Sequence, residues 1–285
     1  MIEALFSEDG RRNPYPIYCE YRSQRVLHME PSDLWMIFGY EDVRTALEDH
    51  TTFSSAATPS NSMGDPLDWL IFKDPPRHSR LRGLIACAFT PRVIANLEHR
   101  IQQISQQLLE ASVFCGEMDL ATDYSIQLPL QVIAGMLGIP ASAYPRFRRW
   151  SDAILNLAET VTGSAEATRS VHEYQAATAE MDEYLKQVLQ SRDQPWDNLL
   201  FKLADAELGG ERLEHTEILG FFQLLLLAGS ETTTNLINNA MLCFIEHPSQ
   251  FDLLRQQPHL LATAIEEALR YPCSGLWPRW LRSSW

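Results

Sequence analysis

The sequence predicts a mainly α-helical protein with a small β part. Apolar residues recur at intervals of three and four through most of the chain, as at Leu97, Ile101 and Ile104, which places them on one face of a helix. Strand-like segments are confined to the first third. The longest helical pattern runs from Glu214 to Glu246, and at about 1.5 Å per residue such a helix spans most of a domain.

The first third contains both predicted strands. Residues Val26–Met29 and Leu34–Phe38 are rich in apolar residues and are separated by the turn-like Pro31–Asp33. A short helix is expected over Tyr40–Glu48. Residues 54–72 are rich in Ser, Thr, Pro, Gly and Asn and predict a long loop, a kind of segment that is often functional inside a compact domain.

Proline and glycine mark the boundaries of the later helices. Pro75 and Pro76 can open a helix, because the first turn has backbone N–H groups without partners and therefore tolerates proline. Gly209 and Gly210 interrupt the chain before the long helix, which is expected to stop at His247-Pro248.

Composition excludes several classes of protein. The 285 residues are 45% hydrophobic and 21% charged, which is typical of a globular chain of one or two domains and excludes a disordered one. The 37 acidic and 23 basic residues give a formal net charge of −14, which argues against general nucleic-acid binding.

The sequence also predicts a cytoplasmic protein without a membrane anchor. No apolar run reaches the ~20 residues of a membrane helix, and the N-terminus does not resemble a signal peptide. The five cysteines are scattered without paired spacing, which indicates neither a disulfide framework nor a zinc site. They are Cys19, Cys87, Cys115, Cys243 and Cys273.

The middle of the long helix has an unusual composition for a buried segment. Residues Ala228–Asn235 contain a glycine and three consecutive threonines, and glycine inside a helix costs about 1 kcal/mol relative to alanine. Small residues here leave room beside the helix for a ligand. The Thr232 hydroxyl can also donate to the Ala228 carbonyl and bend the helix. The alternative is that Glu231, Asn235 and Asn238 form a solvated stripe.

Two further features contain charged pairs at helical spacing. His78 and Arg82 are four residues apart after the double proline, so both can meet one anionic group. Lys73 to Arg100 holds six basic and two acidic residues, a local charge of +4, which is also compatible with a solvated basic face. Near the end, Glu267 and Arg270 could form an ordinary surface pair.

Taken in order, these features resemble the cytochrome P450 family, specifically its soluble bacterial members. The resemblance covers nearly the whole chain to about Pro272 and implies an incomplete P450 fold with a long central helix and a small N-terminal sheet. The segments that carry it are Asn13–Pro16, Trp35–Ser54, Asp74–Arg92, Ala228–Thr233, His247–Pro248 and Glu267–Arg270.

The resemblance implies haem b as the cofactor and assigns its contacts. His78 and Arg82 would pair with a haem propionate, and Arg279 would stand where the family has a further propionate ligand. Glu267 and Arg270 would be a structural pair in a buried network that supports the haem-binding core.

On the other side of the cofactor, Thr232 and the acid Glu231 would belong to the distal oxygen-activation site and relay protons. Ala228 and Gly229 would border the oxygen groove and the substrate, and they belong to the implied cofactor-binding residues. Residues 54–72 would cover the substrate pocket, with Met63, Leu67, Trp69, Leu70 and Ile71 as apolar contacts.

The implied activity is that of a haem-thiolate monooxygenase, which inserts one oxygen atom of dioxygen into an apolar small molecule. Electrons would come from NAD(P)H through a reductase and a ferredoxin. The basic region Arg77–Arg100 would lie where an acidic ferredoxin docks.

One departure from the family pattern limits that activity. The family holds the haem iron with a cysteine in a Gly-rich Phe-x-x-Gly…Cys-x-Gly loop, and no such pattern occurs in these 285 residues. Cys273 directly follows a helix end, a poor setting for a thiolate. We therefore expect this chain to be inactive, and the alternative function is a non-catalytic remnant or helical binding protein.

The last residues differ in composition from the rest of the chain. Residues 271–285 contain no acid, and three of the seven tryptophans fall between Trp277 and Trp285. The expected division is a partial P450 domain over 1–272 and an atypical tail over 273–285. A frameshift or premature stop near Pro272 is the hypothesis that explains this tail.

Overall fold

Helices dominate the part of the chain that the computed structural model describes, which is residues 7, 9–10, 13–29, 34–56, 68–113, 116–156, 165–191 and 198–271. The α-helices are α1 (Tyr15–Tyr21), α2 (Tyr40–Glu48), α3 (Arg77–Ala88), α4 (Pro91–Val113), α5 (Gln127–Met136), α6 (Tyr144–Leu155), α7 (Ala165–Ser191), α8 (Leu199–Asp205), α9 (His215–Glu246), α10 (Pro248–Gln256) and α11 (Leu261–Arg270). None of these helices has both the length and the apolar character that a membrane span requires.

Shorter helical turns connect them. Within the described residues they include the 3₁₀ turns Arg22–Gln24, Leu70–Phe72, Ala141–Ala143 and Pro258–Leu260 and the π-helical turn Leu120–Ser125. Asp119 caps the π turn, because its side chain accepts hydrogen bonds from the backbone N–H groups of Ala121 and Thr122. The turn at Leu70–Phe72 lies within the segment for which the sequence predicts only a loop.

In the described ranges the small β part consists of two hairpins. Strands β1 (Val26–Met29) and β2 (Leu34–Ile37) are antiparallel, as predicted. A second hairpin, β3 (Glu207–Leu208) with β4 (Glu211–Arg212), lies beyond the first third and corrects the expectation that strands are confined there. Gly209 and Gly210 make its tight turn with φ values of +62° and +85°, which glycine adopts without strain.

Helix α9 forms the centre of the core. It begins with a capping box, in which Glu214 and Glu217 each accept a hydrogen bond from the other's backbone N–H. The apolar run that follows is buried against α5, α6, α7 and α8. Phe222 is fully buried and meets the rings of Phe147 and Trp150 edge-on, with centroids 6.0 and 6.2 Å away.

A buried polar group joins α9 to the segment before α3. The side-chain carbonyl of Gln223 accepts from Trp69 Nε1 at 2.8 Å and from the Tyr174 hydroxyl at 3.3 Å. Its amide donates to Thr178 Oγ1 at 3.0 Å. Because these partners satisfy Gln223, it can stay in the core without the cost of an unpaired polar group.

Gly220 allows this segment to approach α9 closely. A Cβ at this position would lie 2.4 Å from the Asp68 carbonyl oxygen, a backbone atom that cannot move aside alone. Gly220→Ala is therefore expected to destabilise the chain by about 1–2 kcal/mol, since overpacking exceeds the ~1 kcal/mol gain in helix propensity. Urea denaturation measures the change.

Gly83→Ala is the matched control for this substitution. Its Cβ would meet only the tip of the Leu208 side chain, at 2.8 Å, and that side chain can rotate away. An equal loss of stability in both variants would contradict the assignment of Gly220 to a backbone contact.

Candidate functional site

Helix α3 presents two basic side chains on one face. It begins at Arg77, directly after the double proline, as the sequence predicts. His78 is half-buried and Arg82 is exposed, and at a spacing of four residues they lie one above the other. Neither side chain forms a hydrogen bond or ion pair with another residue in the described part of the chain. This face can therefore receive an anionic group.

The neighbouring basic residues are paired instead. Lys73 and Arg77 both contact Asp68, at 2.8 and 3.0 Å. Arg80 binds Glu217 at 2.8 Å. These carboxylates neutralise most of the local positive charge that the sequence places here, so the region is less basic than its composition indicates.

Midway along α9, the polar segment exposes a hydroxyl. Thr232 Oγ1 donates to the Ala228 carbonyl at 2.5 Å, which confirms the predicted hydrogen bond, and both residues are exposed. Gly229 differs from the expectation. A Cβ there would lie 2.6 Å from Ile133 Cδ1, so its small size accommodates α5 and does not open a groove. The reason is geometric, because successive helix residues point about 100° apart.

The polar residues Glu231, Asn235 and Asn238 beyond Gly229 are half-buried. Asn238 accepts from Ser125 Oγ at 2.7 Å, and Thr234 Oγ1 donates to the Ser125 carbonyl at 2.8 Å. Glu231 is half-buried beside a cavity of about 460 Å³ between α9, α6 and the π turn. Because successive helix residues point about 100° apart, Glu231 and the exposed Thr232 leave α9 in different directions.

The predicted substrate contacts are only partly within the described residues. Met63 and Leu67 lie outside them, as do Arg279 and the segment 273–285. Trp69 is 4% exposed and belongs to the core, where it is held by Gln223. Leu70 is half-buried and Ile71 is exposed, so these two side chains remain accessible.

Glu267 and Arg270 form the expected pair on α11, with two hydrogen bonds of 2.6 and 2.7 Å. Hydrogen bonding from Arg270 lowers the pKa of the Glu267 carboxyl. The expectation of a buried network is wrong here, since the side chains are 55% and 68% exposed. In this structure the pair is a surface contact of one helix turn.

The described cysteines lie inside helices: Cys19 in α1, Cys87 in α3 and Cys243 in α9. No group of three or more His, Cys, Asp or Glu side chains within the described residues could hold a metal ion. The structure therefore supplies no protein-only metal centre in this part of the chain.

The sequence analysis did not identify the link between Arg80 and Glu217. The place of Glu217 was detectable, because Glu214 and Glu217 have the spacing of a capping box before an apolar run. The contact of Glu217 with Arg80 joins residues 137 positions apart, and no local pattern reveals such a contact.

Comparisons with known proteins identify close relatives. No protein-family model matches the chain. Cytochrome P450 107B1 of Saccharopolyspora erythraea is 35% identical over 285 residues, a match that covers 95% of this chain and 67% of the relative. Vitamin D(3) 25-hydroxylase of Pseudonocardia autotrophica is 34% identical, with 94% of this chain and 66% of the relative covered.

Solved structures of cytochrome P450 proteins also match this chain. Substrate-free CYP109E1 from Bacillus megaterium matches with a TM-score of 0.80 and 34% identity, over 92% of this chain and 69% of that one. CYP109B1 from Bacillus subtilis matches with a TM-score of 0.79 and 34% identity, over 92% and 68%. The chain thus spans about two thirds of the length of the proteins it matches.

Proposed function

This chain belongs to the cytochrome P450 family, and on that premise we propose that its residues form the propionate site and the oxygen-side helix of a haem monooxygenase. The observation that carries the proposal is the pair His78 and Arg82, two adjacent donors on one helix face without partners in the described residues. Arg77 and Arg80, on the same helix, are both occupied by carboxylates.

The residues fit the cofactor that the family carries. A propionate needs charge-assisted donors, which His78 and Arg82 provide. The face of α9 that would meet the porphyrin needs small side chains, and Ala228 is exposed there. When bound, haem supplies the chemistry that inserts one oxygen atom of dioxygen into the substrate, while the protein positions the reactants.

Thr232 and Glu231 are the proposed proton-handling residues. The Thr232 hydroxyl donates a hydrogen bond to the Ala228 carbonyl. Its oxygen can therefore accept a hydrogen bond from a ligand on the exposed face. Glu231 borders the polar cavity, from which its carboxylate can exchange protons. Because the two side chains leave α9 in different directions, a proton would pass between them through water.

The proposed substrate is an apolar small molecule. The related vitamin D(3) 25-hydroxylase is named for such a compound, and CYP109E1 has been solved with corticosterone. Leu70 and Ile71 would supply accessible apolar contacts. The proposed electron donors are a ferredoxin and an NAD(P)H-dependent reductase, in a cytoplasmic setting.

We further propose that residues 1–285 do not act as a monooxygenase on their own. A thiolate is favoured at a helix N-terminus, whereas the described cysteines lie within helices or at their last turns. The sequence also lacks the Phe-x-x-Gly…Cys-x-Gly pattern of the family.

A second candidate function, a non-catalytic helical binding protein, is favoured by one observation. An apolar groove of about 410 Å³ lies between the end of α9, α10 and α11. On α9 and α11, outside the lining of the groove, Ile245, Leu261 and Leu269 are more than half exposed. A patch of this kind is typical of a contact surface.

Titration of the purified chain with hemin and with hemin dimethyl ester separates the two functions. The proposed haem site predicts 1:1 binding of hemin and weaker binding of the ester, because esterification removes the propionate charges. Equal affinities would contradict the propionate site, and no binding of either compound would favour the binding-protein function.

A further inference from the structure

Helix α3 is held on the side opposite its anion-binding face. Arg80 is two residues from His78 and two from Arg82, so it points about 200° away from both. On that opposite side lie the β3–β4 hairpin and the first turn of α9. Arg80 is therefore one of the attachments of this helix, beside the 3.6 Å ion pair of Arg77 with Glu217 and the buried side chains Leu81, Leu84 and Ala88.

The Arg80 guanidinium makes hydrogen bonds to two segments of the chain, β4 and the first turn of α9. It donates to Glu217 Oε1 at 2.8 Å, to Glu211 Oε2 at 2.5 Å and to the Arg212 carbonyl at 3.0 Å. The hydrogen bond to Glu217, followed by that to Glu211, raises the pKa of Arg80 above its usual value. A planar fork with several fixed donors resists rotation more than a single contact does.

The partner Glu217 is itself fixed. Its side chain is only 3% exposed, and Oε2 accepts from the Glu214 backbone N–H at 3.0 Å as part of the capping box. Moving this carboxylate would therefore break the cap of α9. At the other end of α3, Phe89 meets Phe221 of α9 edge-on at 6.0 Å. Arg80 and Phe89 thus attach both ends of α3 to α9.

We propose that Arg80 is a positioning residue, which acts through Glu217 to fix His78 and Arg82 relative to the exposed Ala228 and Thr232 of α9. This proposal rests on the proposed function, because both faces must contact the same haem. A propionate bound by two donors is sensitive to their placement, whereas the porphyrin ring, bound by apolar contacts, is not.

The test compares Arg80→Met with Arg169→Met in titrations with hemin and hemin dimethyl ester. Arg169 is a matched control, because it is exposed and its ion pair among the described residues is with Glu173 on the same helix. Arg80→Met is expected to raise the Kd for hemin about tenfold and the Kd for the ester less than about twofold, as expected for a misplaced charge-assisted contact. Arg169→Met should change neither.

Arg80→Lys serves if the methionine variant does not fold. Lysine keeps a cation beside Glu217 but loses the fork to Glu211 and Arg212, so the Kd for hemin should rise about threefold with the ester unaffected. A parallel loss for both ligands, or no loss for either, would overturn the positioning role. Absence of hemin binding by the unsubstituted chain would instead overturn the proposed function, and it is seen before any variant is compared.

Discussion

Replacing His78 by alanine and Arg82 by methionine together is expected to raise the Kd for hemin about a hundredfold. Each side chain would donate one charge-assisted hydrogen bond to a propionate, worth about 1.5 kcal/mol, or roughly tenfold in affinity. Both donors lie on one face of α3 without competing partners in the described residues, so their loss removes ligand contacts and leaves the fold unchanged. Absorbance titration with hemin measures the effect.

The matched control is the double variant His99→Ala with Arg169→Met. Both residues are exposed, and their side-chain hydrogen bonds in the part of the chain that the structure describes stay within their own helices. This control should bind hemin as the unsubstituted chain does. Both double variants should have the melting temperature of the unsubstituted chain. If the His78/Arg82 variant also retained full affinity, the α3 face would not be the propionate site.

Phe222→Ala is expected to cause the largest loss of stability, about 3–5 kcal/mol. Phe222 is fully buried on α9 and contacts Phe147 and Trp150, so truncation leaves a cavity among large rings that cannot collapse. Urea denaturation measures the free energy of unfolding. Since the native contacts elsewhere stay the same, the slope of the unfolding free energy against urea concentration should not change.

Ile245→Ala is the control for this substitution. Ile245 lies on the same helix but is 70% exposed, so its truncation should change stability by no more than about 0.5 kcal/mol. A loss below about 1 kcal/mol for Phe222→Ala would mean that α9 is not packed as described.

The sequence predicted the helices and the placement of His78 and Arg82 on one helix face, because both depend on local spacing. The bounds of α9, the hairpin β1–β2 and the Thr232–Ala228 hydrogen bond all follow from residues within a few positions of one another. The hairpin β3–β4 was missed because two-residue strands have no periodicity, and only its glycine turn gave a signal.

The incorrect predictions concern contacts between distant segments. Whether Gly229 faces open space or Ile133 depends on how α5 lies against α9, which composition does not determine. The local charge near α3 was overestimated because Glu217, far along the chain, neutralises Arg80. The burial of Glu267 and Arg270 depends likewise on what packs against α11. The division at residue 272 stays a prediction, since 272–285 lie outside the described residues.

The central claim is that these residues form a haem site of the P450 type without its thiolate. The carbon monoxide spectrum of the chain, loaded with hemin and then reduced, tests it most directly. We expect hemin to bind and the carbonyl spectrum to lack the thiolate-type band, because the sequence lacks the Phe-x-x-Gly…Cys-x-Gly pattern and the described cysteines lie in helices. A thiolate-type carbonyl band would contradict the account, since it would require a cysteine of this chain to hold the iron.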